Sequence, residues 1–448
     1  MRPIPVAIAA SLALMSAARA SESSPSDPQI AALAARIQAL EANAQALQKQ
    51  AADALAAPGA AGAALQQKGA AARAAGFAAV GPPASEGSSV ASANAFNPAI
   101  SLILNGLYVD HSRDPVDYSR AGFPLVGEGA PRGPGLQLGE SELSFAANID
   151  DKFYGQFTVT MESEDGETHT GIEEAYIETT ALPEGFTARA GRFYSNIGYL
   201  NSHHTHTDYF SDRPLAYQAF LGNQYGDDGV QLRWVAPTET FLEFGGEAFR
   251  GDNYPAGGAA HSGVGAKSFF VHAGGDVGIE NSWLAGASVL RADTTGGEDG
   301  FSGRNNLYLF DLTWKWAPRG AFKDSGIVLR SEVFLDDRKG IVIDPEDPDA
   351  LGQPWDGQRR GAYLEALYRF SRTWDAGYRY DKLWAASSGP YASDHDPQRH
   401  SAALTWHNSE FSLMRLQLSH DEPQPHFIDN VLTLQYQVSL GAHGAHKF

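Results

Sequence analysis

From residue 96 to its end the chain alternates apolar and polar side chains in segments of about ten residues, and this period of two dictates strands with one apolar face. Phe153, Gly155, Phe157, Val159 and Met161 share one face, while Tyr154, Gln156, Thr158, Thr160 and Glu162 share the other. The pattern recurs over residues 143–149, 175–179, 230–236, 242–248, 327–335, 362–370, 374–380 and 400–406. Tight turns separate some strands, at Asp150-Asp151, Pro183-Glu184-Gly185, Ala236-Pro237-Thr238, Ser371-Arg372-Thr373 and Asn408-Ser409. Long polar loops separate others, over residues 110–136, 195–224, 250–266, 294–304, 336–360 and 385–398. Short turns at one end and long loops at the other are the signature of outer-membrane barrels. About 350 residues shared among about sixteen strands leave roughly 22 for each strand with its connection, against the ~9–11 that a tilted membrane strand needs. The expectation is an all-β, antiparallel transmembrane barrel of about 16 strands. Roughly 14 to 18 would fit, because the phase is ambiguous between residues 269 and 290.

Beyond residue 20 no apolar run reaches the ~18 residues of a membrane helix, so only strands could cross a bilayer. Two features separate a membrane barrel from a soluble sandwich. Trp234, Trp283, Trp314, Trp316, Trp374, Trp384 and Trp406 fall near strand ends, where amphipathic rings suit the membrane interface. Leu432, Leu434, Tyr436, Val438, Leu440, Ala442 and the terminal Phe448 keep one phase to the last residue. Phe448 is therefore expected to act as a sorting signal for the barrel-assembly machinery. A closed barrel has no open edges, which explains how so β-rich a chain avoids aggregation.

The N-terminal part reads differently. Arg2, the apolar stretch 4–18 and Ala18-Arg19-Ala20 compose an export signal over residues 1–20. Ile30, Leu33, Ile37, Leu40, Ala44, Leu47, Ala51 and Ala54 are spaced alternately by three and four, the seam of a short periplasmic coiled helix over 21–55. Such a seam, together with the barrel, suggests a homo-oligomer. Residues 56–95 are rich in Ala, Gly, Ser and Pro and read as a flexible linker, leaving 96–448 for the barrel.

The 33 basic and 53 acidic residues give a net charge of −20, which argues against nucleic acid as a partner. Six of the basic and five of the acidic residues precede residue 97, so the acidity belongs to the barrel. Cysteine is absent, which excludes disulfides, thiolate metal sites and a thiol nucleophile. On the strand face opposite the apolar one stand Glu174, Glu178, Arg189, Arg233, Glu243, Glu247, Arg330, Glu332, Glu365, Arg369, Arg379 and Asp381. A charge on the lipid face costs ~2–4 kcal/mol at mid-membrane, so these are expected to line the pore. Net acidity there favours cations.

His203, His204, His206 and Asp208 form the densest set of metal-ligand types, within loop 195–224. Imidazole with carboxylate suits zinc or another divalent cation. Tyr209, Phe210, Tyr217 and Phe220 flank it and could anchor the loop inside the pore as a constriction. His443 and His446 are a weaker pair. Asp344, Glu346, Asp347 and Asp349 could hold calcium or bridge cations on lipopolysaccharide, which with outer-membrane lipid would be the surrounding partner. No G-x-S-x-G, H-E-x-x-H, Walker loop or dinucleotide fingerprint occurs, so the chain is not expected to be an enzyme.

Glu173-Glu174-Ala175-Tyr176-Ile177-Glu178, Leu182-Pro183 and Ala188-Arg189-Ala190-Gly191-Arg192-Phe193 together resemble a pattern of phosphate-selective and related substrate-selective porins. Phe96-Asn97-Pro98-Ala99-Ile100, Leu138-Gly139-Glu140-Ser141-Glu142-Leu143 and Tyr225-Gly226-Asp227-Asp228-Gly229-Val230-Gln231-Leu232 resemble bacterial outer-membrane proteins often labelled zinc-regulated TonB-dependent receptors. The resemblance implies an outer-membrane transport channel of Gram-negative bacteria, linked to metal supply. It departs from TonB-dependent receptors in having a coiled helix and linker, not a folded plug domain, before the strands. It departs from phosphate-selective porins in lacking a surplus of lysine and arginine. Passive, porin-like transport is the expectation. A structural or adhesion barrel without an open channel, or a TonB-dependent metal receptor, is the alternative.

Overall fold

The computed structural model describes residues 98–164, 167–258, 263–296, 298–343, 351–389 and 391–441. The expected export signal, coiled helix and linker lie outside the described residues, as do Asp344, Glu346, Asp347, Asp349, His443, His446 and Phe448.

Seventeen strand segments form one antiparallel sheet. In chain order they are β1 (Ala99–His111), β2 (Gly135–Leu138), β3 (Ser141–Asn148), β4 (Phe153–Glu164), β5 (Glu167–Thr179), β6 (Phe186–Tyr194), β7 (Gly226–Val235), β8 (Phe241–Phe249), β9 (Ala266–Val277), β10 (Asn281–Thr294), β11 (Phe301–Trp316), β12 (Gly326–Val342), β13 (Pro354–Ser371), β14 (Trp374–Trp384), β15 (Gln398–Ser409), β16 (Ser412–Gln424) and β17 (Phe427–Gly441). β1 pairs with β17 and closes the ring. β2 and β3 both lie beside β1 and make one stave, so the barrel has 16 strands. The ambiguous stretch resolves into β9 and β10, turning at Gly278 with φ 68°.

Besides register shifts close to the turns among β13–β17, two β-bulges interrupt the alternation on the β2–β3 stave and on β5. Gly106 faces Leu138 on β2, but Ile103 faces Glu142 on β3, which leaves one extra residue around Gly139-Glu140. On β5, Glu174 faces Thr158 and Ile172 faces Val159, so Glu173 is extra. A bulge re-aims side chains and shifts the phase of the residues beyond it. Leu136 and Leu138 point outward, yet Glu140 and Glu142, of the same parity, point inward.

The outer face is apolar and exposed, with Phe157, Val230, Phe310, Leu312, Leu364, Leu418 and Leu434 among its members. The expected tight turns all lie at one rim and the six long loops at the other. Near the tight-turn rim Trp234 stacks between Phe186 and Phe244, at 6.2 and 5.9 Å, and Trp374 stacks on Trp406 at 6.2 Å. Apolar staves bounded by an aromatic girdle match the hydrocarbon slab of a bilayer. No helix among the described residues is long and apolar enough to cross a membrane.

Candidate functional site

The inner face carries the site. Between β6 and β7, segment 195–224 folds into the barrel. It makes two short 3-10 turns, Leu200–Ser202 and Thr205–Thr207, and one helix, α1 (Leu215–Leu221). Pro214 precedes α1 and Gly222 ends it with φ 57°, a left-handed conformation that glycine adopts without strain. Ile197, Leu200, Phe210, Leu215, Tyr217 and Phe220 are almost wholly buried. Tyr217 and Phe220 pack on Phe334 of β12 at 5.1 and 5.9 Å, and Phe220 meets Phe123 edge-on at 5.7 Å. Phe210 lies under Arg379 of β14 at 4.6 Å and Tyr209 under Arg330 of β12 at 5.2 Å, so all four aromatics flagged in the sequence meet the barrel wall from inside the ring.

Polar anchors come from strands all around the lumen. Glu332 on β12 is fully buried and accepts from the backbone N–H of Tyr199 (3.0 Å) and Leu200 (3.2 Å) and from the hydroxyls of Tyr217 (3.0 Å) and Tyr363 (2.6 Å). Glu247 on β8 accepts from the N–H of Asn196 at 3.0 Å, from the Gln231 amide and from Ser195 and Ser268. Asp381 on β14 accepts from the Leu215 N–H at 3.0 Å. Arg415 on β16 and Gln437 on β17 donate to the carbonyls of Asp208 (2.7 Å) and His206 (3.1 Å). Asp212 sits between Arg379 (2.9 Å) and Arg399 (2.8 Å). Burial pushes the Asp212 carboxyl up, but the two guanidinium groups outweigh it and hold the group below the usual carboxylate range.

All twelve charged residues expected to line the pore face inward, and each is buried. Strand alternation by itself implies charges standing in open water. Instead they pair with one another and with the segment. Arg189 and Arg233 share Glu178 at 2.7 and 2.9 Å, Arg233 reaches Glu243 at 3.4 Å, and Arg330 reaches Glu365 at 3.1 Å. Arg369 grips Asp375 at 2.7 Å, and Arg379 grips Asp381 at 2.9 Å. Removing one partner of such a pair strands a buried charge.

The four residues expected to bind metal separate into two groups. His204 and His206 converge on Glu142 of β3, with Nδ1 of His204 3.0 Å from Oε2 and Nδ1 of His206 2.6 Å from Oε1. His204 Nδ1 also lies 3.3 Å from Glu173, and its Nε2 lies 3.1 Å from Glu174. Burial lowers the His204 pKa, but Glu142 and Glu173 more than offset it and leave the imidazole well above its ordinary value. His203 turns away. It stacks on Tyr199 at 4.6 Å with Nδ1 2.7 Å from the Tyr199 carbonyl, and burial with the Arg330 charge lowers its pKa to about 3. Asp208 pairs with Arg213 at 2.7 Å and is spent there. The cluster therefore excludes His203 and Asp208 and includes Glu142, Glu173 and Glu174; of these three, the sequence pattern marks only Glu174 as facing the lumen.

The closed ring, its lipid-facing band and the segment folded into its lumen define an outer-membrane β-barrel of the porin architecture. Among solved structures, an anion-selective porin from Comamonas acidovorans is similar to this chain, with a TM-score of 0.51 at 10% identity, covering 77% of this chain and 99% of that one. Salmonella typhi OmpF, in complex with daunomycin, has a TM-score of 0.50 at 12% identity, covering 77% and 97%. At these identities the likeness is one of fold. An uncharacterized protein of Aquifex aeolicus is 29% identical over 394 residues, which span 80% of this chain and 81% of that one. No family model matches the chain.

Proposed function

We propose that the protein is a porin-like outer-membrane channel that passes small solutes or ions passively, with a preference for cations and a link to divalent metal supply. One observation carries this reading: a closed membrane ring whose inner face is charged and is narrowed by segment 195–224. A lumen built of paired charges offers polar contacts along its length while excluding bulky solutes. The carboxylates Glu128, Glu140, Glu162 and Glu173 around one pocket near the long-loop rim would concentrate cations there. The lumen is narrowed by a segment emerging between two strands, which supports passive passage over TonB coupling. No side chain is assigned a role as nucleophile or general base. Assembly as a homo-oligomer belongs to the same proposal.

Burial of the twelve inward charges favours a second reading, a barrel that does not conduct and serves a structural role. One measurement decides. In planar bilayers the purified protein should give discrete conductance steps and a cation-directed reversal potential in a salt gradient. Deleting residues 199–220 should enlarge the steps. A silent parent whose deletion variant conducts would establish the closed barrel and overturn the channel.

A further inference from the structure

Where the segment meets β3 and β5, more carboxylate oxygens gather than hydrogen bonds account for. One ligand atom each from Glu142, His204 and His206 lies within 4.8 Å of the others, and the same holds for Glu140, Glu142 and Glu173. Glu142 belongs to both sets. Glu140 is only 7% exposed, yet its Oε1 has no hydrogen-bond partner among the described residues. A buried carboxyl oxygen in that state is met either by a proton or by a counter-charge.

We infer that this cluster binds one divalent cation of the zinc class, held by Nδ1 of His204, Nδ1 of His206 and the carboxylates of Glu142 and Glu173, which balance its two charges, with Glu140 beside them. Two imidazoles with carboxylates are a nitrogen–oxygen donor set suited to zinc and poorly suited to magnesium or calcium. Bonds of about 2.0–2.1 Å to a tetrahedral ion set ligand atoms about 3.3 Å apart. His204 Nδ1 already stands 3.0 Å from Glu142 and 3.3 Å from Glu173. Its other nitrogen is turned to Glu174 at 3.1 Å, the contact that fixes the tautomer and orientation of a metal-bound histidine. On binding, the ion takes the place of any proton held between the imidazoles and Glu142. The two β-bulges bring the donors together, by turning Glu140 and Glu142 inward on one strand and Glu173 inward beside Glu174 on another. A pocket of about 220 Å³ lined by Glu140 and Glu173 gives the ion a way in. Two ligands come from the segment and two from the barrel wall, so the ion would staple one to the other. This inference needs the fold alone and holds whether or not the barrel conducts.

The test is zinc titration by calorimetry of the full-length protein in detergent, with elemental analysis after dialysis. The parent should bind one zinc per chain, and calcium and magnesium should fail to compete for it. Glu174→Gln should weaken zinc binding about tenfold. His206→Ala and Glu142→Gln should weaken it further, and His203→Ala should bind as the parent does. Each variant is first shown to remain a heat-modifiable barrel on gels. If His206→Ala unfolds, Glu173→Gln takes its place. No zinc bound by the parent would overturn the site. So would parental affinity in both Glu142→Gln and Glu173→Gln, or a loss in His203→Ala matching that in Glu142→Gln.

Discussion

The two halves of the inner wall handle charge in opposite ways. On β12 to β16 nearly every carboxylate faces a guanidinium: Asp336 lies between Arg338 (3.2 Å) and Arg359 (2.9 Å), Glu365 meets Arg330, Asp375 meets Arg369, and Asp381 meets Arg379 and Arg399. From β3 to β8 Glu142, Glu173, Glu174, Glu178, Glu243 and Glu247 face only two buried arginines, Arg189 and Arg233. The first wall neutralises itself. The second leaves a surplus, and the segment turns His204 and His206 toward it. A wall in internal balance holds a shape, whereas a wall in deficit attracts a cation.

Glu332 is the sharpest exception, because among the described residues it takes four neutral donors and no guanidinium. Glu332→Ala would leave two backbone N–H groups and two hydroxyls unsatisfied in the interior. The expected loss is about 3–5 kcal/mol, since breaking a buried charged cluster costs on that scale. Limited proteolysis should then cut within residues 199–220, a region protected in the parent. Protection equal to the parent's would mean that packing on Phe334 alone holds the segment.

Asp212→Asn should cost less, about 1–3 kcal/mol. The tether also has a pH signature. Because the folded Asp212 titrates below its unfolded value of ~3.9, its contribution is complete above that value and is lost as pH falls through the lower folded one. Arg379, Arg399, Gln417 and the neighbouring Asp381 are the groups facing it. Protease sensitivity of the parent should rise only in strong acid, and the Asp212→Asn variant should lack that step. An acid transition retained by the variant would assign it to other carboxylates.

Glu140→Gln with Glu173→Gln should reduce the surplus on the acidic wall and move the reversal potential toward zero, while Arg330→Gln with Glu365→Gln on the balanced wall should leave it unchanged. Equal shifts would erase the contrast between the halves. The smallest effect belongs to Arg192 and Asp228, a pair at 2.8 Å whose side chains are 40% and 49% exposed. Asp228→Asn should change stability by less than about 1 kcal/mol in a denaturant titration.

The barrel was legible because alternation is a direct consequence of strand geometry, and because charge cannot face lipid cheaply. That reasoning placed Glu178, Arg233, Glu332 and Arg379 on the inner face. It failed where geometry departs from strict alternation. Glu173 falls on the outward parity of β5, and only the bulge turns it inward. Glu140 and Glu142 lie at and beyond another bulge, in a stretch the sequence marks with no ligand signal beyond Gly139. His203 and Asp208 looked equivalent to their neighbours because spacing does not reveal that Tyr199 and Arg213 would claim them. Nor does spacing show that a lumen is filled, since filling depends on contacts over two hundred residues apart.

Those distances bear on the order of assembly. Segment 195–224 precedes β12, β14, β15, β16 and β17 in synthesis, yet its anchors Glu332, Asp381, Arg399, Arg415 and Gln437 all lie on them. Glu142, Glu174 and Glu247 on β3, β5 and β8 can receive part of it early, but its docking is complete only when the later strands are present. Contacts so far apart in the chain form late and slowly. The topology thus ties complete lumen docking to the strands that close the ring, and a chain stalled short of β17 would hold this loop with its last anchors missing.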